Sequence, residues 1–418
     1  MDESKQLALS PKLMNAPHVL VKRPQRVLLV EPGYKVKYPP LGLMKISSYH
    51  KMRGDEVVFY KGTNAAVRDQ KWDVIYITTL FTFQWKTTIE TIQFYQRNKR
   101  NCKNIKVGGI LASLLPRDVE NETGITPHVG LWDEVDRLTP DYRLATGIYD
   151  YYANNASMGY MTRGCIRRCP YCAVPDLEPG FVAFIPLGHQ VDLTRKDLIL
   201  LDNNVLASPE FPRIIGEIKK HGFYRGAKFG DAQRYVDFNQ GVDARLLTEE
   251  KMEILSHLPL KPLRIAFDHV KFEKPYVEKI RLAHKHGVKH LSNFILFNYE
   301  DTPEDFHRRL QINIQLNEEL GLSIFSFPMR YIPLNAKDRK YVGPNWTKTQ
   351  LRGIQCILHA THGVVGPRRP FFEKAFGTNA DEFRYIIQQP EEIIFHREKM
   401  KPYQSGLSIP QAFLAAPR

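Results

Sequence analysis

A chain of 418 residues, 43% of them apolar, is long enough for two or three domains with cores of their own and too apolar for global disorder. Its formal charge of +14 suits a polyanionic partner such as RNA or DNA, and equally a basic enzyme whose charges are solvated. No run of about 18 apolar residues occurs, so no membrane span is expected, and the opening MDESKQLALSPKLMNAPH lacks the apolar centre of a secretory signal. Five cysteines, three of them in one short stretch, make no disulfide framework and predict a reducing, cytoplasmic setting.

Residues 1–24 read as a polar tail. Arg26–Val30 (RVLLV) is a short apolar run that ends at the turn signal Pro32-Gly33, and a helix pattern from Leu41 to Met52 closes at Gly54. Strand-like Val57–Tyr60 and Val74–Thr78, a helix over Thr87–Lys99 and strand-like Ile105–Val107 before Gly108-Gly109 complete the pattern. Alternation of this kind predicts an α/β domain over residues 25–140, a Rossmann-like parallel sheet with helices on both faces. Such sheets bind ligands at the carboxyl ends of their strands.

Residues 128–157 read as a connector, after which a βα rhythm fills 155–335. Strands are expected at Tyr160–Arg163, Asp197–Leu201, Val236–Gln240, Leu263–Phe267, Asn293–Phe297 and Ser323–Phe327. Thr302-Pro303-Glu304-Asp305 combines an N-cap, a proline at N1 and an acidic N3, predicting a helix that runs to Gly321. Residues 336–418 form a basic, mainly helical C-terminal extension, with a helix over Thr347–His359 and the basic-aromatic run Pro367-Arg368-Arg369-Pro370-Phe371-Phe372. Aromatic rings between arginines are suited to stacking bases and pairing with phosphates.

The chemistry concentrates in MTRGCIRRCPYCAVP, Met161 to Pro175, where Cys165, Cys169 and Cys172 stand as C-x3-C-x2-C with Tyr171 before the last. Thiolates this close can wrap one iron–sulfur cube, leaving one iron without a protein ligand, and an open position marks a catalytic metal site. A structural zinc, with Cys102, Cys356 or a histidine as fourth ligand, stays open on spacing alone, although no second C-x2-C pair is present. Arg167 and Arg168 in the same loop are expected to lower the thiol pKa values. Cys356 falls at helical spacing and is expected to pack as a small apolar residue, whereas Cys102 is flanked by basic residues.

The spacing, with the aromatic at Tyr171, resembles the signature of the radical S-adenosylmethionine (SAM) superfamily. The resemblance implies a (β/α)6 partial barrel over 155–335, a [4Fe–4S] cluster on Cys165, Cys169 and Cys172, and SAM chelated by its open iron. An external one-electron donor and a 5′-deoxyadenosyl radical that abstracts hydrogen are implied with it. The first domain is similar to the cobalamin-binding-like domain of such proteins through Pro39-Pro40-Leu41-Gly42-Leu43 and Val107-Gly108-Gly109. The cobalt-binding D-x-H-x-x-G motif is absent after Val30 and after Leu80, which weighs against cobalamin and leaves it as the alternative cofactor.

The polar residues past each expected strand are the SAM candidates, since parallel barrels work at the carboxyl ends of their strands. Asp202-Asn203-Asn204 stands where the family places a Gly-Gly-Glu-like acceptor for the SAM ammonium. Phe238–Arg245 resembles a G-x-D-x-R segment, in which Arg245 is placed to clasp the SAM carboxylate and Gln240 or Asp243 the ribose. An Asp243–Arg245 pair that only holds the loop is the competing reading. Asp268, before His269, matches a residue lining the SAM pocket, and Asn298–Phe306 resembles the G-x-P-G-E-T-x-E-D-F turn, with Asn298 in place of its glycine. Arg330 or Tyr331 is expected to face substrate. Substrate is expected to be nucleic acid or another anionic molecule. A cobalamin-dependent radical SAM methyltransferase and a non-catalytic nucleic-acid-binding protein with a structural metal are the alternatives.

Overall fold

The computed structural model describes residues 23–98, 100–149 and 155–396, so most of the polar tail and the stretch 397–418 lie outside the described residues. Its first sheet has four parallel strands: β1 (Arg26–Glu31), β2 (Glu56–Lys61), β3 (Val74–Thr79) and β4 (Ile105–Gly109), in the order β2-β1-β3-β4. Period-two alternation in β1 explains its position between two helical layers. Val27 and Leu29 pack with Leu43 of α1 (Leu41–Met52) on one face. Leu28 and Val30 pack with Ile89 and Ile92 of α2 (Trp85–Gln96) on the other. Gly109 ends β4 at φ +110°, and a Cβ there would lie 2.3 Å from the Thr79 carbonyl oxygen, so only glycine fits this turn.

The second domain holds six parallel strands. β5 (Ala156–Gly159), β6 (Asp197–Leu200) and β7 (Val236–Phe238) pair in that order, as do β8 (Leu263–Arg264), β9 (His290–Phe297) and β10 (Ser323–Arg330). Isolated parallel bridges, Val236–Leu260 and Val242–Ile265, join the two groups. The first strand lies earlier than the expected Tyr160–Arg163. Its ASMG sequence is fully buried but carries no β-branched residue, and Gly159 packs against Val191 where a Cβ would come within 2.8 Å, so close packing hides the usual strand signal. Arg163 instead pairs antiparallel with Val182 and starts the loop.

Helices α3 (Phe211–Lys220), α4 (Glu249–Ser256), α5 (Glu273–Lys285) and α6 (Pro303–Leu320) cover the outer face, contributing Ile214, Ile218, Leu255, Ile280, Ile312 and others to one core. The capping box of Thr302 and Asp305 opens α6, and left-handed Gly321 closes it. The helices α7 (Lys348–Ala360), α8 (Arg369–Phe376), α9 (Ala380–Gln388) and α10 (Glu391–His396) share a second core with Ile295 and Phe297 of β9 and Phe306 and Leu310 of α6. The extension is therefore packed onto the last βα units. That packing occupies the basic-aromatic run: Phe372 is buried and Arg369 grips Glu318 at 2.7 and 2.6 Å, leaving Arg368 and Phe371 exposed.

Candidate cluster and cofactor site

The cysteine loop leaves the carboxyl end of β5 and is closed at its root. Gly164 donates its N–H to Glu178 Oε2 (2.6 Å), and Arg163 donates to Glu178 Oε1 (2.8 Å). The Arg163 and Val182 main chains exchange hydrogen bonds of 3.1 and 2.9 Å. Gly164 has φ +71°, and a Cβ on it would lie 2.1 Å from the Gly180 carbonyl oxygen. Within the loop the Cys172 N–H reaches the Cys169 carbonyl at 3.0 Å. All three thiols are half-buried and free of disulfide, and burial pushes the Cys172 thiol up. Two N–H groups, the Arg167 main chain and Asn204 Nδ2, point at Cys165 Sγ, each at 3.4 Å.

Among the described residues, no group of three or more His, Cys, Asp or Glu is gathered tightly enough to hold a single metal ion. A tetrahedral zinc would need its sulfurs all about 2.3 Å from one ion. A cube takes each thiolate on a different iron, and three free, half-buried thiols on one closed loop suit it. Cys356 is buried in α7, as its helical spacing predicts, while the Cys102 side chain lies outside the described residues.

The end of β6 stands beside this loop. Asp202 is buried, and its Oδ1 accepts from the Met161 N–H (2.9 Å), the Thr162 N–H and Thr162 Oγ1 (2.7 Å), tying β6 to the root of the loop. Its Oδ2 is buried with no partner, and so is Asn204 Oδ1. Burial pushes the Asp202 carboxyl up to about 6, against the hydrogen bonds that lower it. Two acceptors left without donors, one of them on the side chain that touches Cys165, form a place suited to a cationic donor. Asn203, named with them from sequence, turns away and donates to Glu178 Oε2 at 3.0 Å.

The end of β7 is organised differently. Arg245 grips Asp243 through Nε (2.7 Å) and Nη2 (3.0 Å), and Arg167 Nε reaches the same carboxylate at 3.0 Å. Burial raises the Asp243 carboxyl, but these hydrogen bonds outweigh it and hold it below the ordinary carboxylate range. Asp243 and Arg245 are thus paired with each other, as the competing reading expects. Arg167, expected to act on the thiols, is directed to Asp243. Gln240 is exposed.

On the far side, Tyr171 Oη donates to Asp268 Oδ2 at 3.0 Å and meets the Tyr299 ring edge-on at 5.5 Å. Burial raises both the Asp268 carboxyl and the Tyr171 hydroxyl. His269 caps a short turn by accepting the Lys271 N–H. Asn298 takes the left-handed conformation of the glycine it replaces (φ +68°), and its amide joins the Tyr331 carbonyl (3.0 Å) to the Gly343 N–H (2.8 Å). Arg330 brackets the Arg339 and Tyr341 carbonyls at 3.0 and 2.8 Å, while Tyr331 stands 4.7 Å from Tyr299.

Three contributors had no local signal. Arg309 of α6, fully buried, donates to the carbonyls of Phe267, Asp268 and Leu296 and to Asp301 Oδ2 (2.6 Å), fixing the ends of β8 and β9. Glu178 closes the cysteine loop. Arg163 pairs with both Glu178 and Asp136, and Asp136 also pairs with buried Lys45 of α1 (3.3 Å), so a charge-balanced chain runs from the first domain to the loop. Burial lowers the Lys45 pKa, and burial notwithstanding, Arg163 and Lys45 hold the Asp136 carboxyl down. Two further contacts bring the domains' strand ends together. Asn239, past β7, donates to Tyr38 Oη past β1 (2.8 Å). Beyond β10, Lys337 pairs with Asp118 and lies over Trp85, while Arg339 lies over Phe83.

No family model and no curated protein matches the chain. Solved structures do match its fold. The radical SAM methyltransferase TsrM from Kitasatospora setae, with cobalamin and a [4Fe–4S] cluster bound, is 15% identical over 75% of this chain and 77% of its own, with a TM-score of 0.50. The same enzyme with tryptophan substrate and the SAM analogue aza-SAM bound is 14% identical over 75% of each chain, at 0.51. The apo cobalamin-dependent SAM radical enzyme OxsB is 12% identical over 70% of this chain and 52% of its own, at 0.44. The chain thus shares, over three quarters of its length, the fold of the radical SAM methyltransferase TsrM.

Proposed function

We propose that the protein is a radical SAM enzyme, with Cys165, Cys169 and Cys172 holding a [4Fe–4S] cluster in a (β/α)6 partial barrel. The observation that carries this reading is the pair of buried, unpartnered acceptors, Asp202 Oδ2 and Asn204 Oδ1, set beside a thiol of the cluster loop. They accept the SAM ammonium. Asp268 and Tyr171 form the opposite wall of the SAM site, and the Arg167–Asp243–Arg245 assembly holds the loop between them. A cluster held by Cys165, Cys169 and Cys172, with SAM beside it and one electron from an external donor, would supply radical chemistry for hydrogen abstraction from substrate. The chain's own task is to orient SAM and keep water from the reacting carbon.

A second reading, cobalamin-dependent methyl transfer, is favoured by one feature. The carboxyl ends of β1, β3 and β4 leave Tyr38, Phe81 and Ile110 exposed, and Tyr38 meets the end of β7 across the domain boundary. The expectation against cobalamin rested on the missing D-x-H-x-x-G motif. TsrM, which shares this fold, has cobalamin bound, so the fold itself gives no support to that expectation. An apolar rim facing the second domain suits a large planar cofactor. For substrate, burial of Phe372 and pairing of Arg369 remove half of the patch on which a nucleic-acid partner was expected.

Anaerobic reconstitution with iron and sulfide, reduction with dithionite and assay of 5′-deoxyadenosine test the first reading. Four irons per chain and the nucleoside from wild type, with neither from Cys165→Ala, are expected. One tightly held zinc, or a cluster that leaves SAM intact with substrate extracts present, overturns it. Visible absorption of a retained corrinoid decides the second reading.

A further inference from the structure

We infer, building on the enzyme reading above, that the inward faces of β9 and β10 form the substrate wall and that the substrate presents an uncharged, flat apolar ring to it. Alternate residues of a strand face opposite sides of the sheet. On β9 and β10 one set is buried under the helices: Leu291, Ile295, Phe297 and Ile324 join the helix-side cores, and Ser326 is bonded to Asn313 of α6 at 2.9 Å. The other set begins with His290, Ser292 and Ser323 at the amino-terminal ends and continues, towards the carboxyl ends, as Phe294, Leu296, Phe325, Phe327 and Met329. These apolar side chains are only partly covered, and Met329 is 50% exposed. A closed barrel would fill its interior with such residues, and here they line accessible space instead.

The wall is aromatic and carries no net charge. Phe327 packs on Phe294 (5.9 Å) and Phe325 (5.4 Å). The Arg264 guanidinium lies over Phe327 and Phe294, but it is held by Asp237 through two bonds of 2.7 Å, so the pair offers no free cation to a phosphate. The next inward position, Tyr331, continues through Tyr299 to Tyr171 in the cysteine loop. The aromatic surface thus leads to the radical-generating centre. A polyanion placed on it would be desolvated without compensation, whereas a flat ring gains edge and face contacts. The basic charge of the whole chain therefore says little about what reacts.

Indole is the test ligand, titrated calorimetrically into the anaerobically reconstituted protein saturated with S-adenosylhomocysteine. Binding is expected, weakened about tenfold by Phe327→Ala and unchanged by Phe229→Ala, an exposed ring in the antiparallel hairpin of Lys228–Phe229 with Ala232–Gln233. Phe327→Leu, which retains apolar volume, serves if the alanine variant melts early, and should weaken binding less. No binding, displacement of indole by S-adenosylhomocysteine, or affinity indifferent to both Phe327 variants overturns the inference. Tighter, Phe327-dependent binding of adenosine monophosphate overturns it too. Because the titration requires no turnover, wall-dependent indole binding without SAM cleavage would sink the enzyme reading and leave the wall standing.

Discussion

The ends of β6 and β7 look alike in sequence and differ in structure. Both carry carboxylate and amide side chains just past a short buried strand. At β7 the charges satisfy one another, Arg245 and Arg167 converging on Asp243. At β6 the scaffold uses only one oxygen of Asp202 and leaves Oδ2 and Asn204 Oδ1 buried without donors. A buried polar atom without a partner costs folding free energy, so it marks a place shaped for something other than the fold. Self-satisfied charge marks structure. The distinction lies in side-chain geometry, and residue type alone does not contain it.

The largest effect belongs to the loop that both ends flank. Gly164→Ala forces a Cβ against the Gly180 carbonyl at a positive φ, and backbone on both sides leaves no easy relaxation. A cost of about 2 kcal/mol or more is expected. Reconstituted protein should fall well below four irons per chain, by iron assay and by the EPR signal of the reduced cluster. Full occupancy in a stable variant would show that the root of the loop does not set the cluster.

Next comes Asp202→Asn, which keeps the Oδ1 acceptor and converts the orphan oxygen into a donor. SAM affinity should drop 10- to 100-fold, the loss of about 1.4–3 kcal/mol of charge-assisted bonding. The apo protein should become more stable, and the pH dependence fixes the sign. Wild-type Asp202 titrates near 3.8 unfolded and at about 6 folded, so between those values the unfolded chain gives up its proton first. Its contribution therefore favours folding below 3.8 and is lost as pH rises to about 6, amounting to about 3 kcal/mol. The asparagine variant lacks this decline, visible in paired denaturant curves at pH 4 and pH 7. SAM, by favouring the ionised carboxylate, should bind wild type more tightly as pH rises through 6. Parallel pH profiles for the two proteins would break the contrast between the strand ends.

Asp243→Asn should do much less. Arg245 and Arg167 are both about a third or more exposed, so the lost pairs cost roughly 0.5–1 kcal/mol. If the end of β7 only holds the loop, SAM affinity changes within about threefold. A 100-fold loss would make Asp243 a SAM contact and erase the difference between the two ends.

What the sequence made readable was local. The bounds of α1 match the apolar pattern and its Gly54 stop, and the capping box at Thr302 and Asp305 is a four-residue signal that no distant contact alters. β5 was misplaced because its four residues are chosen for close packing against Val191 and carry no strand preference of their own. Arg309 and Glu178 were missed because each acts across a long separation: Arg309 reaches back to Phe267 and Asp268, and Glu178 to Arg163. Asn298 stands out in the sequence as a departure from glycine. Its reason, a left-handed residue whose amide also links two loops, needs the fold.

The smallest effect tests whether the end of β7 is self-contained. Tyr38→Phe removes one hydroxyl and leaves the buried Asn239 amide without that acceptor, one of the contacts that join the first domain to the second. Removing one neutral hydrogen bond costs about 1 kcal/mol, or roughly 2 °C in Tm for a chain of this size. Iron content and SAM affinity should not move, because Asn239 lies on the self-satisfied side and touches neither Asp202 nor Cys165. A measured drop in SAM affinity with no change in Tm would mean that the first domain positions the cofactor directly. The two strand ends would then be parts of one site.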